Sequence, residues 1–298
     1  MARKTKRPRR RVWWWVLILV IALGAILAGY FLAMQRDRKD GEPVATLDQK
    51  QIPLEGKDLT PGPTERDISA TGTPVVSQEI MPADPESREA YCKRAEKDVR
   101  DFFQYLSTKD YIRHIQETSD PFEHFLKIVA RLNSKLPIPA GESADSAVLN
   151  SNIYHLFRVL DRKDIRLIRE VMANEADTLE INIEMLFRWL TLGNHCPDPQ
   201  GLRPTQEALY HYAGFFLNTI GGRSYLFRRP FRLRLLGTYY SLLIIHEADK
   251  KGRNPYGIDP FPHIPTLAKE ISLYSDFRFQ EAYQVKLKEI EAYYLQRR

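Results

Sequence analysis

The chain is poor in the residues that announce chemistry most directly. It holds two cysteines, Cys92 and Cys196, in 298 residues. No Cys-x-x-Cys, His-Glu-x-x-His or Asp-x-Asp run occurs. That excludes a thiolate-rich zinc site and the metal motif of many glycosyltransferases. The pairs Glu86-Ser87 and Glu142-Ser143 lack the Gly-rich stretch that a helical lytic enzyme of cell walls places after its Glu-Ser. Aromatic residues are missing between Phe31 and Tyr91, and Asp and Glu are missing from 208–246. Alternating apolar runs between turn residues are scarce, and no fixed repeat period occurs, so neither a sheet protein nor a regular solenoid is expected.

An excess of basic charge is also missing once one segment is set aside. The formal charge is +6, but Arg3, Lys4, Lys6, Arg7, Arg9, Arg10 and Arg11 supply +7. Residues 12–298 carry 37 basic and 38 acidic side chains. A domain-wide phosphate-binding field is therefore excluded, and no nucleic-acid partner is expected. No cofactor is expected either.

What is present begins with residues 13–34, WWWVLILVIALGAILAGYFLAM, 22 residues without a charge. As a helix they reach roughly 33 Å, enough to cross a bilayer core of about 30 Å. Trp13, Trp14 and Trp15 suit one interface, Tyr30 and Phe31 the other, ahead of Met34. The basic tail, residues 1–12, predicts a cytoplasmic N-terminus and an exported C-terminal side, periplasmic in a bacterial cell. The run exceeds the about 7–15 apolar residues of a cleaved signal and lacks a clear cleavage site. Leu27-Ala28-Gly29-Tyr30 has the form of a lipoprotein box with Tyr where Cys must stand. A single-pass signal-anchor follows. The pairs Ala25/Gly29 and Gly24/Ala28 have the small-xxx-small spacing that lets two spans form a homodimer.

Residues 35–84 read as a disordered linker, with six prolines and four glycines among them. Such a segment buries too little apolar area to offset the entropy of ordering. From 85 to 298 the pattern becomes helical, an irregular antiparallel bundle of about eight to ten helices. Asp84-Pro85-Glu86 opens the first, with Tyr91, Ala95, Val99, Phe103 and Leu106 on one face. Further helices are expected at 110–116, from 119 towards 136, and over 145–160, 161–172, 174–192, 204–222 and 230–250. One or two more follow from 266, the last over 276–296. Residues 193–201 read as a loop.

Three stretches carry candidate sites. Arg223, Arg228, Arg229, Arg232 and Arg234 lie interleaved with aromatics in the acid-free stretch. With the backbone of Gly221-Gly222 they suit an anionic group: an envelope polymer, a lipid headgroup or an acidic protein. The alternatives are a buried hairpin with its arginines at the solvent end, and an apolar face pressed against the bilayer. Phe261 and His263, in Asp259-Pro-Phe-Pro-His263, form a rigid loop that offers an aromatic to a partner peptide. Cys92 and Cys196, both on the exported side, are a disulfide pair if the compartment is oxidising, and otherwise two buried thiols.

Two weaker patterns favour bland readings. Glu180 and Glu184 share a helix face, the arrangement of a glycosidase pair, yet Arg188 sits at ion-pair spacing from Glu184. His246-Glu247 near Asp249 lacks a second histidine at ligand spacing. The reading as a whole is a membrane-anchored envelope protein with an all-α interaction or scaffold module outside the membrane. The alternative is an envelope enzyme acting on a wall polymer or glycan, with the arginine turn as its anion site.

Overall fold

The structure, a computed structural model, describes residues 84–298 apart from 116–119, 139–140, 199 and 275. The tail, the span and the linker expected over 1–83 lie outside the described residues. Twelve α-helices and one 3-10 turn occur among the described residues, and no strand. None of these helices is long and apolar enough to cross a membrane.

Local signals explain where the early helices begin. Helix α1, Pro85–Ser107, starts on proline, and its cap Asp84 accepts from the Ser87 amide at 2.9 Å. Helix α2, Asp110–Arg113, is one turn. Helix α3, Pro121–Ser134, repeats the Asp-Pro opening, with Asp120 accepting from Phe122 N. Helix α6, Arg162–Asn174, carries a capping box of Asp161 and Asp164.

The expected single helix over 145–160 is two: α4, Ser146–Ile153, and α5, His155–Val159. Tyr154 leaves helical geometry between them, at φ −100° and ψ 9°. Ser and Asn residues, weak helix formers, precede the break. The helix expected from 174 starts later, as α7, Leu179–Thr191, because Glu175 closes α6 and the chain turns before Leu179. A 3-10 turn, Gly193–His195, follows it.

The largest correction concerns 204–222. Helix α8, Gln206–Asn218, stops before the two glycines, and α9, Ile220–Phe227, contains them. Thr219 is extended there and caps α9, accepting from Gly222 N at 3.0 Å while its hydroxyl donates to Phe215 O at 2.8 Å. Gly221 and Gly222 are not a stop signal. A Cβ at either position would collide with backbone, that of Asn152 or of Phe215. Helix α10, Phe231–Lys250, then runs through the domain, followed by α11, His263–Ser272, and α12, Gln280–Leu295.

The buried side chains form two clusters. One is built on α1, α3 and α6, with Phe103 stacked on Phe125 at 4.7 Å and Phe125 against Trp189 at 5.5 Å. The other is built on α8, α10, α11 and α12 around Tyr239, Leu242, Ile245, Tyr283 and Leu287. Helix α7 serves both, turning Met185, Leu186 and Trp189 to the first and Ile183 and Phe187 to the second. Helix α10 is apolar on most sides because α7, α8, α9 and α11 all pack on it.

Candidate interaction surface

Most acids that the fold buries are consumed by it. Glu180, 2% exposed, accepts from Arg232 Nη2 at 2.8 Å, the amides of Arg278 and Phe279 at 2.9 and 3.1 Å, and Tyr283 OH at 3.2 Å. Glu184 accepts from Arg188 Nε at 3.0 Å and Tyr240 OH at 2.7 Å. Burial, and then the Glu184 charge, pushes the Tyr240 hydroxyl well above its ordinary value, so it stays a donor. The two carboxylates thus clasp α7 to α10, to α12 and to the turn before α12.

Two further buried acids escaped the sequence reading. Asp164 is bonded to His124 Nε2 and Arg131, and Glu175 to Tyr111 OH at 2.6 Å. The Asp161-x-x-Asp164 spacing was the one local signal for the first. Among the described residues, no group of three or more His, Cys, Asp and Glu is placed to hold a metal.

The five arginines do not converge. Arg232 is paired with Glu180, and Arg234 with Glu270 at 3.3 Å. Arg229 lies over the Tyr225 ring at 4.3 Å and donates to its hydroxyl. Arg223 is exposed, with Nε donating to Leu217 O at 2.8 Å. Arg228 is exposed and makes no ion pair with the described residues. The amides of Gly221 and Gly222 are engaged inside the chain, by Glu142 Oε1 at 3.4 Å and by Thr219.

Phe261 is half-buried against the second cluster, under the Arg298 guanidinium at 4.0 Å, and Arg298 also pairs with Asp259. The aromatic expected to project from this loop is therefore covered. His263 Nε2 is bonded to Asn218 Oδ1 at 2.9 Å, and burial lowers its pKa. Cys92 and Cys196 are joined, with Cα atoms 5.7 Å apart, tying α1 to the loop after α7. His195 is exposed beside that bridge.

The residues that do gather are ones the sequence reading did not single out. Asp198, the segment 201–205, the first half of α8, the end of α10 and the loop over 251–256 enclose a groove of about 1130 Å³. Phe187, Leu209, Ile244 and Ala248 are half-buried on its floor. One wall is stiffened by Tyr210, whose hydroxyl donates to Asn254 Oδ1 and whose ring stacks near Tyr256 at 6.1 Å. His211, bonded through Nδ1 to Pro137 O, stands edge-on to Tyr256 at 5.4 Å. Thr205 caps α8 and donates to Asn133 from its amide and hydroxyl. Three cations line the groove (Arg203, Lys251, Arg253) against three carboxylates (Asp198, Glu207, Glu247), so it is not an anion trap.

The chain matches no protein-family model, no curated protein and no solved structure. The geometry above therefore stands without a relative to interpret it.

Proposed function

We propose that the chain is a single-pass, membrane-anchored envelope protein whose exported helical domain binds a protein partner. The observation that carries the reading is the groove of about 1130 Å³. It exceeds the about 300–1,000 Å³ of sites for small molecules, and its floor is apolar while its rim is polar and charge-balanced. An apolar segment of a protein suits that lining better than a charged polymer does. The span and basic tail read from residues 1–34 supply the anchor and its direction, and the Cys92–Cys196 bridge accords with an oxidising compartment.

Photo-crosslinking amino acids placed at Leu209 and Ile244 in the full chain, in its native membrane, test the reading. Both positions should capture the same protein, and the exposed Lys163 on α6 should not. Ile244→Glu should abolish the adduct from Leu209 while the helical spectrum is retained. Absence of a shared adduct overturns the reading, as does hydrolysis of wall polymer or glycan by the purified domain. The topology is tested separately: a reporter active only outside the cytoplasm, fused after Arg298, should be active.

A further inference from the structure

A second surface, none of whose residues lines the groove, is organised differently. On α9 the spacing of Ile220, Arg223 and Phe227 places all three on one stripe, and all are exposed. Phe227 is the most exposed large apolar side chain among those described, at 79%. On α11, Lys269 lies four residues before Leu273, so the two share a face, and Leu273 is 69% exposed. Arg234 holds these elements together. Its guanidinium lies 5.4 Å from the Phe227 ring and 4.7 Å from the Phe231 ring, and it pairs with Glu270 of α11. Phe231 in turn packs on the half-exposed Tyr274 at 3.8 Å.

The apolar members are thus Ile220, Phe227, Leu273 and Tyr274, and the exposed cations beside them are Arg223, Arg228 and Lys269. The Glu270 carboxylate beside them is paired with Arg234. The supply of positive charge traces to the acid-free stretch 208–246. Exposed aromatic and aliphatic side chains ringed by Arg and Lys are what an interfacial site needs. The apolar groups enter the headgroup boundary, and the cations meet anionic phosphates. An apolar protein partner would explain Phe227 and Leu273 but would leave the surrounding cations without counter-charge.

We infer that the α9–α11 face docks on an anionic lipid surface. Docking of this kind is weak for a free domain. Anchoring in the same bilayer would raise its effective concentration, so the inference draws on the reading of residues 13–34 as a span. The apolar contacts and cations do not themselves depend on that reading.

The test uses the full chain in vesicles of phosphatidylcholine, with or without phosphatidylglycerol. The native cysteines are bonded to each other, so an introduced thiol carries the label. Ser272→Cys, exposed beside Leu273, receives an environment-sensitive fluorophore, and the vesicles contain a headgroup spin-label quencher. Lys250→Cys, at the far end of α10 by about 30 Å of helix, is the control. Quenching at 272 that needs phosphatidylglycerol and is absent at 250 supports the inference. Phe227→Ser with Leu273→Ser should remove the quenching. Arg228→Glu and Lys269→Glu should each weaken docking about fivefold or more. All four residues are exposed, so the fold is retained.

Flotation of the vesicles after an alkaline wash reports the anchor independently. A chain that floats with position 272 unquenched in anionic vesicles overturns the docking and leaves the anchor standing. A chain that stays behind in phosphatidylcholine but is quenched at 272 in anionic vesicles supports docking and removes the anchor. Quenching equal at 272 and 250, or indifferent to the four substitutions, overturns the inference and leaves the face to a protein partner.

Discussion

Single side chains decide how this domain tolerates charge. Glu180 is surrounded by four donors from three parts of the chain, and its removal strands Arg232 and two amides. Glu180→Gln should lower stability on the order of 3 kcal/mol, because Arg232 loses its counter-charge and one acceptor oxygen becomes an NH2 that faces groups which themselves donate. Glu289→Gln, at an exposed pair with Lys286, should change it by about 0.5 kcal/mol or less. Urea unfolding followed by circular dichroism compares them, and equal midpoints would show that water replaces the Glu180 carboxylate. The histidines predict a pH effect. Burial holds His155 down to about 4 from 6.5, and lowers His246 and His263 as well. The unfolded chain binds those protons first, so stability is full above 6.5 and falls as the pH drops towards 4. His155→Gln should flatten the loss of urea midpoint between neutral pH and about 5. A slope unchanged by the substitution would remove His155 from the account.

At the scale of elements, α9 depends heavily on its neighbours. It has eight residues, two of them glycine, so its helical propensity is poor and packing must hold it. Gly221→Ala places a methyl group against the Asn152 backbone. It should cost about 1–3 kcal/mol by overpacking, although alanine is the better helix former. A thermal midpoint that rises instead would mean that α9 and α4 are not in that contact. The same helix marks the limit of legibility. Helices α1 and α3 were readable because Asp84-Pro85 and Asp120-Pro121 act on their own first turns. Gly221 and Gly222 look like a helix end in sequence, because the contacts that require them lie in Asn152 and Phe215, on α4 and α8. The arginine run was legible as composition. Its partners Glu180 and Glu270 lie 52 and 36 residues from the arginines they bind, beyond any local pattern. The groove draws Phe187, Leu209, Ile244 and Tyr256 from four separate elements, and no spacing rule joins them.

At the scale of the described domain, two clusters share α7, and the Cys92–Cys196 bridge closes a span of 104 residues that contains most of the first cluster. Closing a loop of that length contributes up to about 4.7 kcal/mol in the chain-entropy model. Reduction, or Cys92→Ser with Cys196→Ser, should therefore lower the urea midpoint, and the first cluster should lose amide protection ahead of the second. Uniform loss of protection across both would show that α7 couples them into one unit. Both cysteines are buried, so the reductant must wait for local opening.

The bridge also has a mechanical consequence. Seven residues of α1, from Pro85, precede Cys92. Tension entering at the amino end of the domain can peel away those seven before it meets a covalent link. The load then passes directly to Cys196, bypassing α2 to α7, and those helices are shielded from the pull. In single-molecule stretching between the two ends of the domain, the oxidised protein should extend less than the reduced one by roughly 350 Å, the contour of the bridged span.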